Sequence, residues 1–85
     1  MSVIRTSIFT VIKRFPDRKD TIKRLYMENN NFQTICEDYR KCLEAHQYWN
    51  ESGSKEASVR REEYATIRGE LETEITQNIA ESNNI

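Results

Sequence analysis

Apolar side chains recur every three or four residues along most of the chain, which is the spacing of one face of an α-helix. Over residues 30–51 this face carries Phe32, Ile35, Cys36, Tyr39, Cys42, Leu43 and His46. Over residues 56–81 a comparable face carries Ala57, Tyr64, Ile67, Leu71, Ile75 and Ile79. The pattern predicts two amphipathic helices of about 20 to 25 residues each, the second with a spacing close to a coiled-coil seam.

A short polar segment, SGSK, lies between the two apolar stripes and predicts a turn. Because the connection is only a few residues long, we expect the two helices to pack antiparallel as a hairpin. Asn30 or Asn31 is expected to cap the first helix and Ser54 the second, since these side chains can accept a hydrogen bond from a free backbone N–H. Gly53 is expected to end the first helix in the left-handed conformation.

A shorter apolar stripe precedes the hairpin and predicts a lead-in helix with Pro16 in its first turn. This stripe consists of Phe15, Ile22, Leu25 and Tyr26. Further upstream, one helical face carries Ile4, Ile8, Val11 and Phe15. That face stays in phase with Ile22, so one helix kinked at Pro16 is the alternative to two separate helices. The β-branched residues of the first segment leave a strand as a third reading.

Together these elements predict an all-α fold, a coiled-coil-like antiparallel helical hairpin with one or two shorter helices before it. We expect an amphipathic helical segment over residues 1–15, the hairpin over residues 16–80 with its turn near 52–55, and a disordered tail over residues 81–85. Charged residues make up 32% of the chain, with two glycines and one proline, which is typical of long solvated helices. A chain of 85 residues buries a limited fraction of its surface, which argues against a pocketed enzyme.

The formal net charge of -1 hides an uneven distribution of charge along the chain. Residues 1–26 carry seven Lys and Arg against two acidic residues, whereas residues 27–85 carry six against twelve. The basic segment favours an alternative role, in which residues 1–26 bind nucleic acid or an anionic membrane surface. A pI near 5.8 weighs against nucleic acid, because a dedicated binding domain is usually basic as a whole.

The distribution of apolar residues also bears on location. No apolar run approaches the roughly 20 residues that span a bilayer, and the first residues lack the features of a secretory signal. We therefore expect a cytoplasmic protein. Residues 1–15 are basic, contain Ser and Thr and lack acidic side chains, which is also the composition of an organellar transit peptide, so this alternative stays open.

Asp38, Cys42 and His46 follow one another at every fourth residue and are the best candidates for a metal site. A closed structural zinc site needs four ligands, and Cys42 and His46 both fit the buried stripe, so we expect no metal and no cofactor. No glycine-rich turn accompanies the Cys42 and His46 pair, and we expect no catalytic residue. Cys36 and Cys42 point in different directions around one helix and cannot bridge each other. Trp49 is expected to cover the open end of the stripe.

Seven positions of the sequence carry a resemblance to a known family: Asn29, Phe32, Tyr39, Leu43, Leu71, Glu74 and Ile75. An Asn-x-x-Phe opening of the first long helix and a Leu-x-x-Glu-Ile seam in the second resemble the YdcH-like family of small bacterial helical-hairpin proteins of unknown function. The resemblance covers roughly residues 15–80 and implies a helical hairpin without an established activity. Residues 1–14 extend beyond the usual start, and residues 39–44 replace the family's His-x-x-Leu-Asp segment.

The expected function follows from the low stability of an isolated hairpin. One buried face on each helix barely offsets the entropy lost on ordering the chain, so the hairpin requires a further surface. The N-terminal segment, a second copy or a partner protein would supply it. We therefore expect a non-enzymatic protein–protein interaction module that self-associates as a homo-oligomer, with an unidentified protein partner as a further option. The alternative is a peripheral adaptor that binds an anionic membrane or nucleic acid through residues 1–26.

Overall fold

The computed structural model of the chain describes residues 2–82, and describes the side chains of residues 7–82. Within that range the chain forms four α-helices and no strand. The helices are α1 (Ser2–Arg14), α2 (Lys19–Glu28), α3 (Asn30–Glu51) and α4 (Ala57–Ser82). Helices α3 and α4 pack along each other as a hairpin, and α1 packs against α3 and α2. The all-α prediction is confirmed.

A break at Pro16 separates α1 from α2. Phe15 leaves the helical conformation, with φ of -127° and ψ of 66°, because a following proline disfavours helical geometry in the residue before it. Pro16–Arg18 then form one 3-10 turn that leads directly into α2. The N-terminal part therefore consists of two separate helices. Neither the single kinked helix nor the strand considered for this segment is present.

The start of α3 differs from the cap that the sequence suggested. Asn29, and neither Asn30 nor Asn31, is the capping residue: its side-chain oxygen accepts a hydrogen bond from the backbone N–H of Phe32 at 3.1 Å. The backbone N–H of Asn29 also donates to the Leu25 carbonyl at 2.9 Å, which ends α2. One residue thus closes α2 and opens α3, so the two helices follow each other without a loop.

The turn between α3 and α4 spans residues 52–56 and also departs from expectation in its details. Helix α3 ends at Glu51, the following Ser52 adopts an extended conformation, and neither described glycine, Gly53 or Gly69, has a positive φ. Ser54 does not cap α4, since the helix begins at Ala57 and the Ala57 N–H donates to the backbone carbonyl of Ser54 at 3.2 Å. The predicted hairpin turn is present, but neither a left-handed glycine nor a side-chain cap from Ser54 forms it.

The core joins the N-terminal helices to the hairpin. The completely buried side chains of this core, at 0% exposure, are Val11, Ile22, Phe32, Cys36, Tyr39 and Ile75. Ile8, Ile12 and Phe15 pack against them, so the apolar face of α1 belongs to the same core as α3 and α4. The side chain of Ile4 lies outside the described residues. Helix α1 therefore supplies one of the surfaces that the hairpin requires.

The C-terminal end of α4 is longer than predicted. Glu81 and Ser82, which were assigned to a disordered tail, belong to the helix, and Arg24 of α2 donates a hydrogen bond to the Ser82 hydroxyl. The rest of that predicted tail, residues 83–85, lies outside the described residues. Among residues 2–82, each helix is too short or too polar to cross a lipid bilayer.

Candidate interaction surface

One side of the hairpin is not covered by α1 or α2. A groove of about 450 Å³ lies there between α3 and α4. Its lining residues, which we call the open face, are Asp38, Lys41, Cys42, Ala45, Tyr64, Ile67 and Leu71. All seven belong to α3 or α4, whereas α1 reaches α4 through a different edge, where Arg14 contacts Glu72. The open face is therefore the solvent-facing side of the hairpin.

The floor of the open face is apolar. Ile67, predicted to lie in the buried stripe of α4, instead has 42% of its surface exposed, and Tyr64 and Leu71 beside it are half-buried. Cys42 closes the groove below them and is 5% exposed. Its thiol donates to the Tyr64 carbonyl at 3.5 Å, and burial raises the pKa of the Cys42 thiol. The thiol is thus a packed, neutral group on the floor of the groove.

Two opposite charges stand on the α3 rim of the open face. Asp38 and Lys41 are both exposed and lie three residues apart, so they project from neighbouring positions of the helix. Neither forms a salt bridge with another of the described residues. Arg40, which points to the other side of α3, is by contrast bonded to Glu37 and Glu44. The open face therefore combines an apolar floor with one acidic and one basic side chain on its rim.

A cluster of hydrogen-bonded polar side chains lies on the opposite, covered side of the hairpin. The Glu72 carboxylate of α4 accepts hydrogen bonds from Tyr39 Oη at 2.6 Å, from Arg14 Nε at 3.1 Å and from Arg68 Nε at 3.1 Å. Partial burial alone would raise the pKa of Glu72, but the three donors outweigh it and hold this pKa below its usual value. Glu72 therefore stays ionised and joins α1, α3 and α4.

Glu72 also shifts the pKa values of the side chains that donate hydrogen bonds to it. Burial, together with the hydrogen bond to the Glu72 carboxylate, raises the pKa of Tyr39 to about 12. The hydrogen bond to Glu72 also raises the pKa of both Arg14 and Arg68. Tyr39 is therefore neutral and both arginines are charged at neutral pH, and their hydrogen bonds to Glu72 join α1, α3 and α4.

Basic side chains from three helices surround a recess of about 400 Å³ beside this cluster. The cations of this recess are Lys13, Arg14, Arg40 and Arg68. Three of the four are bonded to carboxylates, Arg14 and Arg68 to Glu72 and Arg40 to Glu37 and Glu44. Internal ion pairs therefore engage three of the four positive side chains around this recess.

Among the described residues, no further metal-ligating side chain joins the three that the sequence suggested for a metal site. Asp38 and Cys42 line the open face and His46 is half-buried one turn further along α3. Within residues 2–82 no three His, Cys, Asp or Glu side chains are placed to hold a metal ion. Cys36 and Cys42 are both free and buried, and burial raises the pKa of Cys36 to about 12.

Two polar contacts of the covered side were not predicted from the sequence. The Arg68 and Glu72 pair has the i, i+4 spacing of neighbours on one helix, but Arg14 is 58 positions away from Glu72 along the chain. Ser7 is 1% exposed in the core and shares a hydrogen bond of 3.2 Å with the Tyr26 hydroxyl. Ser7 lies one helical turn before Val11 and shares its face of α1. This spacing is the one feature of the sequence that indicates a buried Ser7.

No protein-family model, curated protein or solved structure matches the chain. The resemblance of residues 15–80 to the YdcH-like family therefore stays a prediction. Of the positions that carry it, Asn29 caps α3 and Phe32 is buried in the core. Any capped amphipathic hairpin needs residues in these roles, so they support the fold and do not identify a family.

Proposed function

We propose that the protein is a non-enzymatic helical interaction module that self-associates through its open face. The observation that carries the proposal is the exposure of Ile67 within a groove whose neighbouring side chains, Tyr64 and Leu71, are half-buried. A contiguous apolar groove with a polar rim is the arrangement found at protein–protein contacts. Covering it with another helical surface would remove the remaining apolar area from water.

The other exposed apolar side chains do not form a comparable surface. Phe9, Met27 and Val59 are more than half exposed, but they lie on three different helices. Tyr48 is 63% exposed and its ring stands edge-on to Trp49 at a centroid distance of 5.0 Å. Single exposed apolar residues are normal on a protein surface, whereas Ile67 shares its groove with the apolar side chains of Tyr64 and Leu71.

The alternative role for residues 1–26 is weakened by the contacts that these residues make. Membrane insertion requires the apolar face of α1, yet Val11 is 0% exposed and Ile8 and Ile12 pack against the core. Arg14 donates to Glu72, and Arg24 forms a salt bridge with Glu28 at 3.9 Å. Binding of α1 to a membrane would therefore remove its apolar side chains from the core and destabilise the fold.

Two narrower statements belong to the same proposal. We propose a cytoplasmic location, with which the buried free thiols of Cys36 and Cys42 are compatible. We also retain the resemblance of residues 15–80 to the YdcH-like family as a proposal, which the hairpin alone supports. Neither statement is needed for self-association through the open face.

A pair of matched substitutions tests the proposal. Ile67→Glu places a charge on the floor of the open face, and Val59→Glu introduces the same charge on the same helix at a residue that does not line the groove. Both side chains are exposed in the monomer, so both variants should fold. Size-exclusion chromatography with light scattering should give a dimer for the intact protein and Val59→Glu, and a monomer for Ile67→Glu. Equal masses for the two variants would contradict the proposal.

A further inference from the structure

We infer that two copies pair face to face about a two-fold axis that crosses the open face between Asp38 and Lys41, so that each Asp38 meets the Lys41 of the other copy. This inference rests on the proposed self-association and specifies its geometry. It identifies the partner of the open face as a second, identical open face, and names the two charges that set the register of the pair.

The two rim charges are self-complementary. A two-fold axis perpendicular to α3 reverses the direction of the helix, so a residue on one side of the axis faces the residue equally far on the other side in the second copy. With the axis midway between positions 38 and 41, Asp38 faces Lys41 twice in one dimer. Because neither side chain forms a salt bridge inside the chain, both are available for these contacts.

The apolar floor fits the same axis. The Cys42 thiol is level with the Tyr64 backbone carbonyl across the hairpin, and the Tyr39 hydroxyl is level with the Glu72 carboxylate, since these atoms are in contact. The axis near Asp38 and Lys41 therefore passes close to Ile67 on α4. Ile67, the most exposed apolar side chain of the floor, would then meet its own symmetry mate at the centre of the interface.

The molecule is large enough for such an interface. It is elongated, with extents of 48, 28 and 21 Å, and α4 alone has 26 residues, about 39 Å of helix. A face of that length can bury the roughly 800 Å² per partner that a stable dimer typically uses. Positive and negative side chains on the same rim also disfavour a strongly acidic or strongly basic partner, whereas they match an identical copy.

Reciprocal charge reversal tests the pairing. Asp38→Lys gives a homodimer with two lysine pairs, and Lys41→Asp gives one with two aspartate pairs. We expect each substitution alone to weaken dimerisation about tenfold, since two attractive contacts become repulsive. Mixing the two variants restores both opposite-charge contacts in the heterodimer. Native mass spectrometry of the equimolar mixture should then show heterodimers well above the half expected by chance.

Helix α2 supplies a matched control. Asp20 and Lys23 have the same residue types and the same spacing as the rim pair, are both exposed, and lie away from the open face. Asp20→Lys and Lys23→Asp should leave the dimerisation constant unchanged and should mix at random. Circular dichroism melts confirm that all four variants remain folded.

The outcomes separate this inference from the proposed function. If Ile67→Glu gives monomers while the rim variants dimerise and mix at random, the open face self-associates but the Asp38 and Lys41 pairing is wrong. If the rim variants behave like the α2 variants, the pairing is equally wrong. A monomeric intact protein overturns both statements and leaves a different protein as the occupant of the open face.

Discussion

The Tyr39 hydroxyl of α3 donates a hydrogen bond of 2.6 Å to the Glu72 carboxylate of α4. The same carboxylate accepts from Arg14 of α1 and Arg68 of α4, so one acidic side chain is shared by three helices. The hydrogen bond from Arg14 to this carboxylate holds α1 on one side of the hairpin. As a result the opposite side, with Ile67, is the side left for a partner.

Replacing Glu72 by Gln should destabilise the fold without changing its shape. The amide can still accept from Tyr39 but loses the charge that holds Arg14 and Arg68, and we expect a loss of about 1 to 2 kcal/mol. Urea unfolding at neutral pH measures this loss. Glu70→Gln, an exposed position of the same helix, is the control and should change the unfolding free energy by less than about 0.5 kcal/mol.

The contribution of Glu72 should disappear in acid. Its pKa is lowered in the folded protein, so the stabilisation is fully present above the pKa of an unfolded glutamate, about 4.3, and is lost as the pH falls through the lowered value. The difference in unfolding free energy between the intact protein and Glu72→Gln should therefore shrink below about pH 4. A difference that stays constant into strong acid would show that the charge of Glu72 is not what stabilises the fold.

The helical faces were predictable from the sequence because apolar spacing alone determines them. Phe32, Cys36 and Tyr39 are buried as their phase requires, and Val11 and Ile22 belong to the same core. This agreement reflects local geometry, in which residues three or four apart share one face.

The contacts between distant segments were not predictable. Arg14 reaches Glu72 because the break at Phe15 turns α1 back onto the hairpin, and apolar periodicity does not give the angle of such a turn. Ile67 was assigned to the core by its phase, but α1 covers the other edge of the stripe and leaves this residue exposed. The cap was placed at Asn30 or Asn31 because three consecutive asparagines offer equal side chains, and the end of α2 selects Asn29.

Helix α1 should be an integral part of the fold. Val11→Ala removes two buried carbon atoms and should lower the unfolding free energy by about 1.5 to 3 kcal/mol. Phe9→Ala on the same helix is the control, since Phe9 is 61% exposed and its loss should cost little. Thermal melts of the two variants make the comparison. Equal melting temperatures, together with binding of the intact protein to anionic vesicles, would instead favour a membrane role for residues 1–26.

The capping role of Asn29 distinguishes it from the neighbouring asparagines. Asn29→Ala removes the acceptor for the Phe32 N–H and should destabilise the protein by about 1 kcal/mol. Asn30→Ala changes an exposed residue of the first helical turn and should be close to neutral. Denaturant melts of both variants test this assignment. A larger loss for Asn30→Ala would place the cap where the sequence first suggested it.

Sedimentation equilibrium of the intact protein tests self-association most directly. Over a concentration series that reaches tens of micromolar, the account predicts a mass of twice 10.1 kDa, with dissociation at low concentration. The apolar floor should make this mass insensitive to moderate salt, because burial of apolar surface is not screened by ions. A folded, cooperatively melting monomer of 10.1 kDa at every concentration would contradict the central claim.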